Sequence, residues 1–283
     1  MPSRSHPTQR QRRLGAELRK LREAAGMTAE EAGAVVNIKA YQVSHLEAGR
    51  VGITPNRLRT LTCNYGCTDE GLVEALVTMA DERDKSWWEA YRGSLPPGYL
   101  DLAELEHNSR RMQTCSSVHI PGLLQTADHA RVIFEEAVSP LPADELNLRI
   151  EHRMRRQSVL DVKNPPHFAA IIHEAALRMQ FGGRKVARAQ LTHLLAASER
   201  EHIEIQSIPF TAGSFPGAGQ TVFYAYGAVP QLDTVQLDAA HTTVFLSADL
   251  QLENYRGLLE RTVAKCLSAA QTRDLIHGIT KEL

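Results

Sequence analysis

The sequence predicts two domains of different class: an all-α domain of five helices over residues 10–84, and an α+β domain over residues 100–283 whose helices pack on a mixed sheet of about five short strands. Three observations carry this reading. In the first eighty positions apolar residues recur at three- and four-residue spacing, interrupted by glycines and capping residues. Beyond residue 165 the period changes to short β-branched or aromatic runs bounded by Pro and Gly. Charge divides the same way: residues 1–67 hold eleven Lys/Arg against five Glu, a net +6, and the rest of the chain carries −7 of the total −1. A length of 283 residues exceeds the usual single-domain size of about 100–150, so two cores are expected.

Composition excludes several classes. With 43% hydrophobic and 23% charged residues, and no apolar run near the roughly 20 residues that span a bilayer, a membrane protein is not expected. The polar, basic start of the chain has no apolar signal core, which points to the cytoplasm. Four cysteines, Cys63, Cys67, Cys115 and Cys266, are too few for a disulfide scaffold and read as thiols. Cys63 and Cys67 have no matching His or Cys pair, so neither metal nor cofactor is expected. A small basic domain joined to an acidic one fits a nucleic-acid reader with a separate regulatory body, because phosphate neutralisation supplies much of such binding.

Residues 1–9 read as a flexible basic arm. Leu14, Leu18 and Leu21 set the apolar stripe of a helix over 10–25, which Gly26 ends. Thr28, with Glu31 three residues on, makes a capping box for a short second helix over 29–36. Asn37 suits a tight turn and Ile38 plugs it, before a third helix over 39–48 that Gly49 closes. Val43 and Leu46 take the inner face of that helix, leaving Lys39, Ala40, Tyr41, Ser44 and His45 for the outside. Thr54 and Pro55 open a fourth helix, with Leu58 and Leu61 inward and Arg57 and Arg59 outward, and a fifth runs from Asp69 to about Asp84.

The strings Met27-Thr28-Ala29-Glu30-Glu31-Ala32-Gly33, Asn37-Ile38 and Val43-Ser44-His45-Leu46-Glu47-Ala48-Gly49-Arg50 resemble the xenobiotic-response-element (XRE, Cro/repressor-like) helix-turn-helix family. The resemblance implies that the third helix enters the major groove and that Lys39, Ala40, Tyr41 and His45 face base edges, with Gln42 and Ser44 at the margin. It implies a homodimer on a near-palindrome, and phosphate contacts from Thr28, Arg50, Arg57, Arg59 and the arm residues Arg10, Arg12 and Arg13. The chain departs from the family pattern at Ala29 and Ala40, where glutamine is usual, and at Lys39, where a capping Ser or Thr is common.

Around Trp87-Trp88 and Leu95-Pro96-Pro97-Gly98-Tyr99 the helical pattern breaks, marking a linker over 85–99. Helices are then expected over 100–115, 127–138, 143–160, 184–198, 249–267 and 269–281, and strands over 168–173, 203–208, 221–226, 233–237 and 243–246. Ile120-Pro121-Gly122-Leu123-Leu124-Gln125-Thr126 with His173-Glu174-Ala175-Ala176-Leu177-Arg178 resembles the C-terminal domain of actinobacterial antitoxin-like XRE regulators. That resemblance implies an effector or partner domain, often with a small companion protein from the adjacent gene. Candidates for ligand or partner contact are Arg153, Arg156, Glu174, Arg178 and Phe215, the four charged residues being read as one set of buried ion pairs. The loop over 211–219 reads either as a lid or as an ordinary connection. His107, His119, His173 and His241 are isolated, and no catalytic constellation has a recognisable spacing, so an enzyme is not expected. Three readings follow: a DNA-binding regulator, an antitoxin-like adaptor that neutralises a small protein, or a regulator with a small-molecule pocket in its C-terminal domain.

Overall fold

The computed structural model describes residues 7–81, 86–136, 140–239 and 242–283. Residues 1–6 of the expected arm, the end of the fifth helix with the first linker residue (82–85), Val138 and His241 lie outside the described residues.

Five helices build the N-terminal domain: α1 (Gln9–Ala24), α2 (Ala29–Val35), α3 (Ala40–Glu47), α4 (Pro55–Asn64) and α5 (Glu70–Asp81). Their apolar stripes meet in one core that includes Leu18, Val43, Leu46, Leu58, Leu61 and Leu76. Helix starts fall where side chains satisfy free backbone N–H groups. The hydroxyls of Thr8, Thr28 and Thr54 accept from the amides of Gln11, Glu31 and Arg57.

The C-terminal domain begins with α6 (Pro97–His107) and continues through β1 (Arg111–Ser116), α7 (Ala127–Glu135), α8 (Ala143–Arg156), β2 (His167–His173), α9 (Glu174–Arg178) and α10 (Gly183–Ala197). Then follow β3 (Ile203–Ile208), β4 (Val222–Tyr226), β5 (Thr234–Ala239), β6 (Thr242–Leu246), α11 (Asp249–Val263) and α12 (Ala269–Glu282). The six strands form one mixed sheet in the order β3-β2-β1-β4-β5-β6. Strands β1, β2 and β3 run parallel, and β4, β5 and β6 continue antiparallel. Side chains alternate across the sheet. Phe168, Ala170 and Ile172 of β2 point to one core with Leu191 and Leu194 of α10 and Ile276 of α12. Ile171 of β2 and Tyr224 of β4 point to a second core with Leu252 and Leu259 of α11. The sheet is thus covered by helices on both faces.

Two expectations are corrected. Residues 100–115 are not one helix: α6 stops at His107 and β1 begins at Arg111, which makes six strands rather than five. Pro96 and Pro97 do not simply break a helix but open one, because proline's fixed φ and missing N–H suit a first turn. The loop over 211–219 is packed: Gly217 lies against Leu258, and the carbonyls of Pro216 and Ala218 accept from the hydroxyls of Thr262 and Ser117.

Buried among aromatic rings, His152 on α8 touches Trp87, Tyr91 and Tyr99 at centroid distances of 5.3, 5.0 and 5.6 Å, and neither ring nitrogen has a partner among the described residues. Burial, and then the guanidiniums of Arg156 and Arg153, hold its imidazole down to about 3. His129 is held down to about 4 by burial and His119. Both pKa values are lowered on folding, so the unfolded chain binds the proton first. Stability is complete above the ordinary histidine pKa of 6.5 and falls as pH drops below it. Each ring adds a slope approaching 1.4 kcal/mol per pH unit, on the order of 1 kcal/mol between pH 6 and 5. Replacing His152→Phe keeps an aromatic ring and removes one of these contributions. Urea midpoints at pH 7 and pH 5 should therefore lie closer together in the variant; an unchanged gap would refute the assignment.

Candidate nucleic-acid interface

Helices α2 and α3 are set at a turn that local chemistry specifies. Asn37 takes a left-handed conformation at φ +54°, and the Ile38 amide donates to the Gly33 carbonyl at 2.9 Å. Helix α3 lacks a hydroxyl or carboxyl cap at Lys39; instead the Gln42 side chain reaches back and accepts the Lys39 amide at 3.0 Å. Gln42 is therefore committed to shaping the helix start. Val43 and Leu46 are buried, while Lys39, Tyr41 and Ser44 are exposed on the opposite face and Ala40 and His45 are half-buried. Tyr41 is the most prominent of these, 58% exposed with its ring edge-on to His45 at 5.9 Å. A large exposed ring next to an imidazole on a helix face presents apolar, donor and acceptor surface at once, suited to a groove rather than to water.

Contacts that sequence reasoning missed hold α3 in place. Glu47 forms a two-pronged pair with Arg22 of α1, Nε to Oε1 at 2.6 Å and the second nitrogen to Oε2 at 3.0 Å, while Arg22 also donates to the Met27 carbonyl at 2.7 Å. The acid of the Ser-x-x-Glu-x-Gly-Arg string is thus a strut between α1 and α3. Gly15 permits the approach: a Cβ there would press on the carbonyl oxygens of Glu47 and Leu46. Gly49 ends α3 at φ +71°, and a Cβ would stand 2.7 Å from the Gln11 carbonyl oxygen. Only the spacing of Glu47 gave a signal for this, since Arg22 reads as one more cation on a polar face.

The phosphate candidates separate into three groups. Arg50 and Arg57 are exposed near α3 and α4, and Thr28 is exposed but engaged with Glu31 in its capping box. Arg59 is held by the Glu74 carboxylate through two hydrogen bonds, so it is an ion pair on the α4–α5 surface rather than an open cation. Arg12 and Arg13 point toward the C-terminal domain. Arg12 meets Asp101 at 3.1 Å, and buried Arg13 donates to the carbonyls of Ser247, at 2.9 Å, and Gln231. Arg10 borders the space between the domains. In this arrangement Arg13 is not available to a phosphate. Further ties across the junction are Lys20 with Asp249 at 2.7 Å and Gln231 with Asp69 at 2.8 Å.

The C-terminal candidates do not form one charged set. Arg156 pairs with Glu106 of α6, both almost fully buried, and not with Glu174. Arg153 lies beside it, donating to the Gln125 side chain and stacked over the Phe134 ring at 4.4 Å; burial holds its guanidinium down to about 10. Glu174 and Arg178 pair separately at 2.7 Å, and Phe215 stacks on His173 at 5.3 Å beside them. The first group joins α6 to α8; the second closes the turn after β2.

Two family comparisons bear on the chain. Residues 13–76 match the helix-turn-helix domain, a range that runs from within α1 to within α5. Residues 99–278, over half of the chain, match a domain of unknown function, DUF5753, and the chain belongs to that family. No curated protein and no solved structure matches it. Among the described residues no helix is long and apolar enough to cross a membrane.

Proposed function

We propose that this protein is a cytoplasmic, sequence-specific transcription regulator of the XRE type that binds a near-palindromic operator as a homodimer. The observation that carries the reading is the face of α3: Tyr41 and Lys39 exposed and His45 beside them, over Val43 and Leu46 in the core, on a helix held by the Arg22–Glu47 pair. Tyr41, His45 and Lys39 read bases, and Arg50 and Arg57 hold the phosphates. The C-terminal domain modulates this binding in the manner of the actinobacterial antitoxin-like regulators it resembles. It catalyses nothing in this reading.

The test is genome-wide DNA binding of the tagged protein beside a Lys39→Ala, Tyr41→Ala, His45→Ala variant. Sharp peaks over a shared motif, lost in the variant, are expected; each lost base contact costs about 1–3 kcal/mol, so together about a hundredfold or more in affinity. Arg57→Ala should instead weaken all sequences alike and lower the salt slope by about one. No enrichment of wild type over background, with a small protein co-purifying in stoichiometric amount, would replace this reading with the adaptor one.

A further inference from the structure

The two edges of the sheet are unlike. At one edge the chain itself closes β3: the Leu267 amide donates to the Ser207 carbonyl at 2.8 Å, and the Ser207 amide donates to the Thr272 hydroxyl at 3.0 Å. The connection from α11 to α12 thus takes up backbone groups that an outer strand would leave to water. Strand β3 also carries Glu204, a charge of the kind that keeps exposed edges apart. At the other edge β6, Thr-Thr-Val-Phe-Leu over 242–246, pairs with β5 on one side and, among the described residues, with no strand on the other. It holds neither a charge nor a proline, the usual guards of an outer strand. Val244 at its centre is 37% exposed, and Leu250, in the first turn of α11, is 70% exposed. Thr243 is engaged within the chain, beside Gly98 at the start of α6.

Charge decides what fits such an edge. An antiparallel pairing of β6 with itself, about a two-fold axis through Val244, sets each Val244 opposite that of the other copy and Thr243 opposite Phe245, so no charge meets its like. The acids that flank the strand are answered within their own chain, Asp238 by the Gln236 side chain and Asp249 by Lys20 at 2.7 Å. We propose that β6 pairs in this way with β6 of a second copy, joining the two six-stranded sheets into one continuous sheet. This deepens the homodimer reading given above, on which it rests, by naming the interface. The end of the strand is tied to the proposed DNA-reading domain: Arg13 donates to the carbonyl of Ser247, directly after β6, and Lys20 holds Asp249. The two-fold axis therefore runs close to both α1 helices, and the joined sheet sets the spacing of the two α3 faces.

Sedimentation velocity of the full chain, without DNA, tests the pairing. An edge of this length buries less than about 1,200 Å², the size of transient interfaces, so the series runs up to about 100 µM. A concentration-dependent dimer is expected. Val244→Lys sets two ammonium groups opposite each other and should raise the dissociation constant at least about tenfold. Val162→Lys, at an exposed apolar position in the connection from α8 to β2, should leave it unchanged. In a Cys63→Ser background, Val244→Cys should form an intermolecular disulfide on mild oxidation, because residues directly opposite in an antiparallel pair lie about 4.5–5.5 Å apart. A wild type that stays monomeric, a dimer that Val244→Lys leaves intact, or a Val244→Cys chain that does not cross-link would each overturn the pairing. A dimer intact in Val244→Lys would leave the homodimer reading standing on another surface, and the stoichiometry on operator DNA decides that reading separately.

Discussion

Glu106→Ala is expected to destabilise the C-terminal domain by about 3–5 kcal/mol, the cost of removing one partner of a buried ion pair. Glu106 is 2% exposed and grips Arg156 from across the α6–α8 contact, Nε to Oε2 at 2.7 Å with a second bond alongside. The size of the effect comes from what would be left behind. Arg153 already lies beside Arg156 in the same buried region, and without the Glu106 carboxylate the two guanidiniums would have only the charge of Asp238 to offset their repulsion. Glu106→Gln keeps the shape and some hydrogen bonding, so it should lose less. A Glu106→Leu, Arg156→Met double variant should recover much of the loss, because an apolar pair of similar volume avoids the desolvation. Urea unfolding monitored by the fluorescence of Trp87 and Trp88 reads all three. A loss below about 1 kcal/mol for Glu106→Ala would mean that water reaches the pair.

Gly15→Ala should give the second large effect, and with the opposite sign to helix propensity. In an exposed helix the exchange stabilises by about 1 kcal/mol. Gly257, within α11 and with nothing within 4 Å of its would-be Cβ, should show that gain. At Gly15 the new Cβ meets the backbone carbonyls of Leu46, at 2.6 Å, and of Glu47. Backbone cannot turn aside as a side chain can, so α1 and α3 must separate. Overpacking of this kind costs about 1–3 kcal/mol or more, which outweighs the propensity gain. The separation also pulls Glu47 from Arg22 and shifts the face carrying Tyr41, so operator affinity should fall further than stability alone requires. Paired urea titrations of the two glycine variants, with operator binding of Gly15→Ala, check this; a stabilised Gly15→Ala would show that α1 and α3 are not in close contact.

Much of the fold was legible because its signals are local. The Thr28 cap, the Asn37 turn and the Gly49 stop each act within a few residues, so the ends of α2 and α3 were placed within one or two positions. Strands β2 and β3 were equally plain, β2 as a run of Phe, Ala and Ile, and β3 as isoleucines alternating with Glu and Gln. Strand β1 was not, although it lies near the middle of the sheet. All but its first residue are buried, yet the string Arg-Met-Gln-Thr-Cys-Ser has no apolar alternation. Gln113 accepts from the Tyr226 hydroxyl and Thr114 donates to the Val222 carbonyl, so polar side chains are satisfied by partners about a hundred residues away. The outward face of α3 followed from Val43 and Leu46, whereas the roles of Arg12, Arg13, Arg59 and Arg156 did not, because each depends on an acid or carbonyl brought in from another element.

The placement of Arg13 bears on how such proteins can be recombined. Helix α1 packs against α3 on one side, and on the other it binds the carbonyls of Gln231 and Ser247, with Arg12 on Asp101 and Lys20 on Asp249. The helix that supports the proposed DNA-reading face is therefore also a part of the C-terminal domain's surface. A chimaera that grafts a foreign helix-turn-helix onto this body would bring its own outer face and still leave Asp101, Asp249 and two carbonyls facing the wrong side chains. Transplanting specificity within this family should succeed when only the outer positions of α3 are exchanged, and fail when the whole module is.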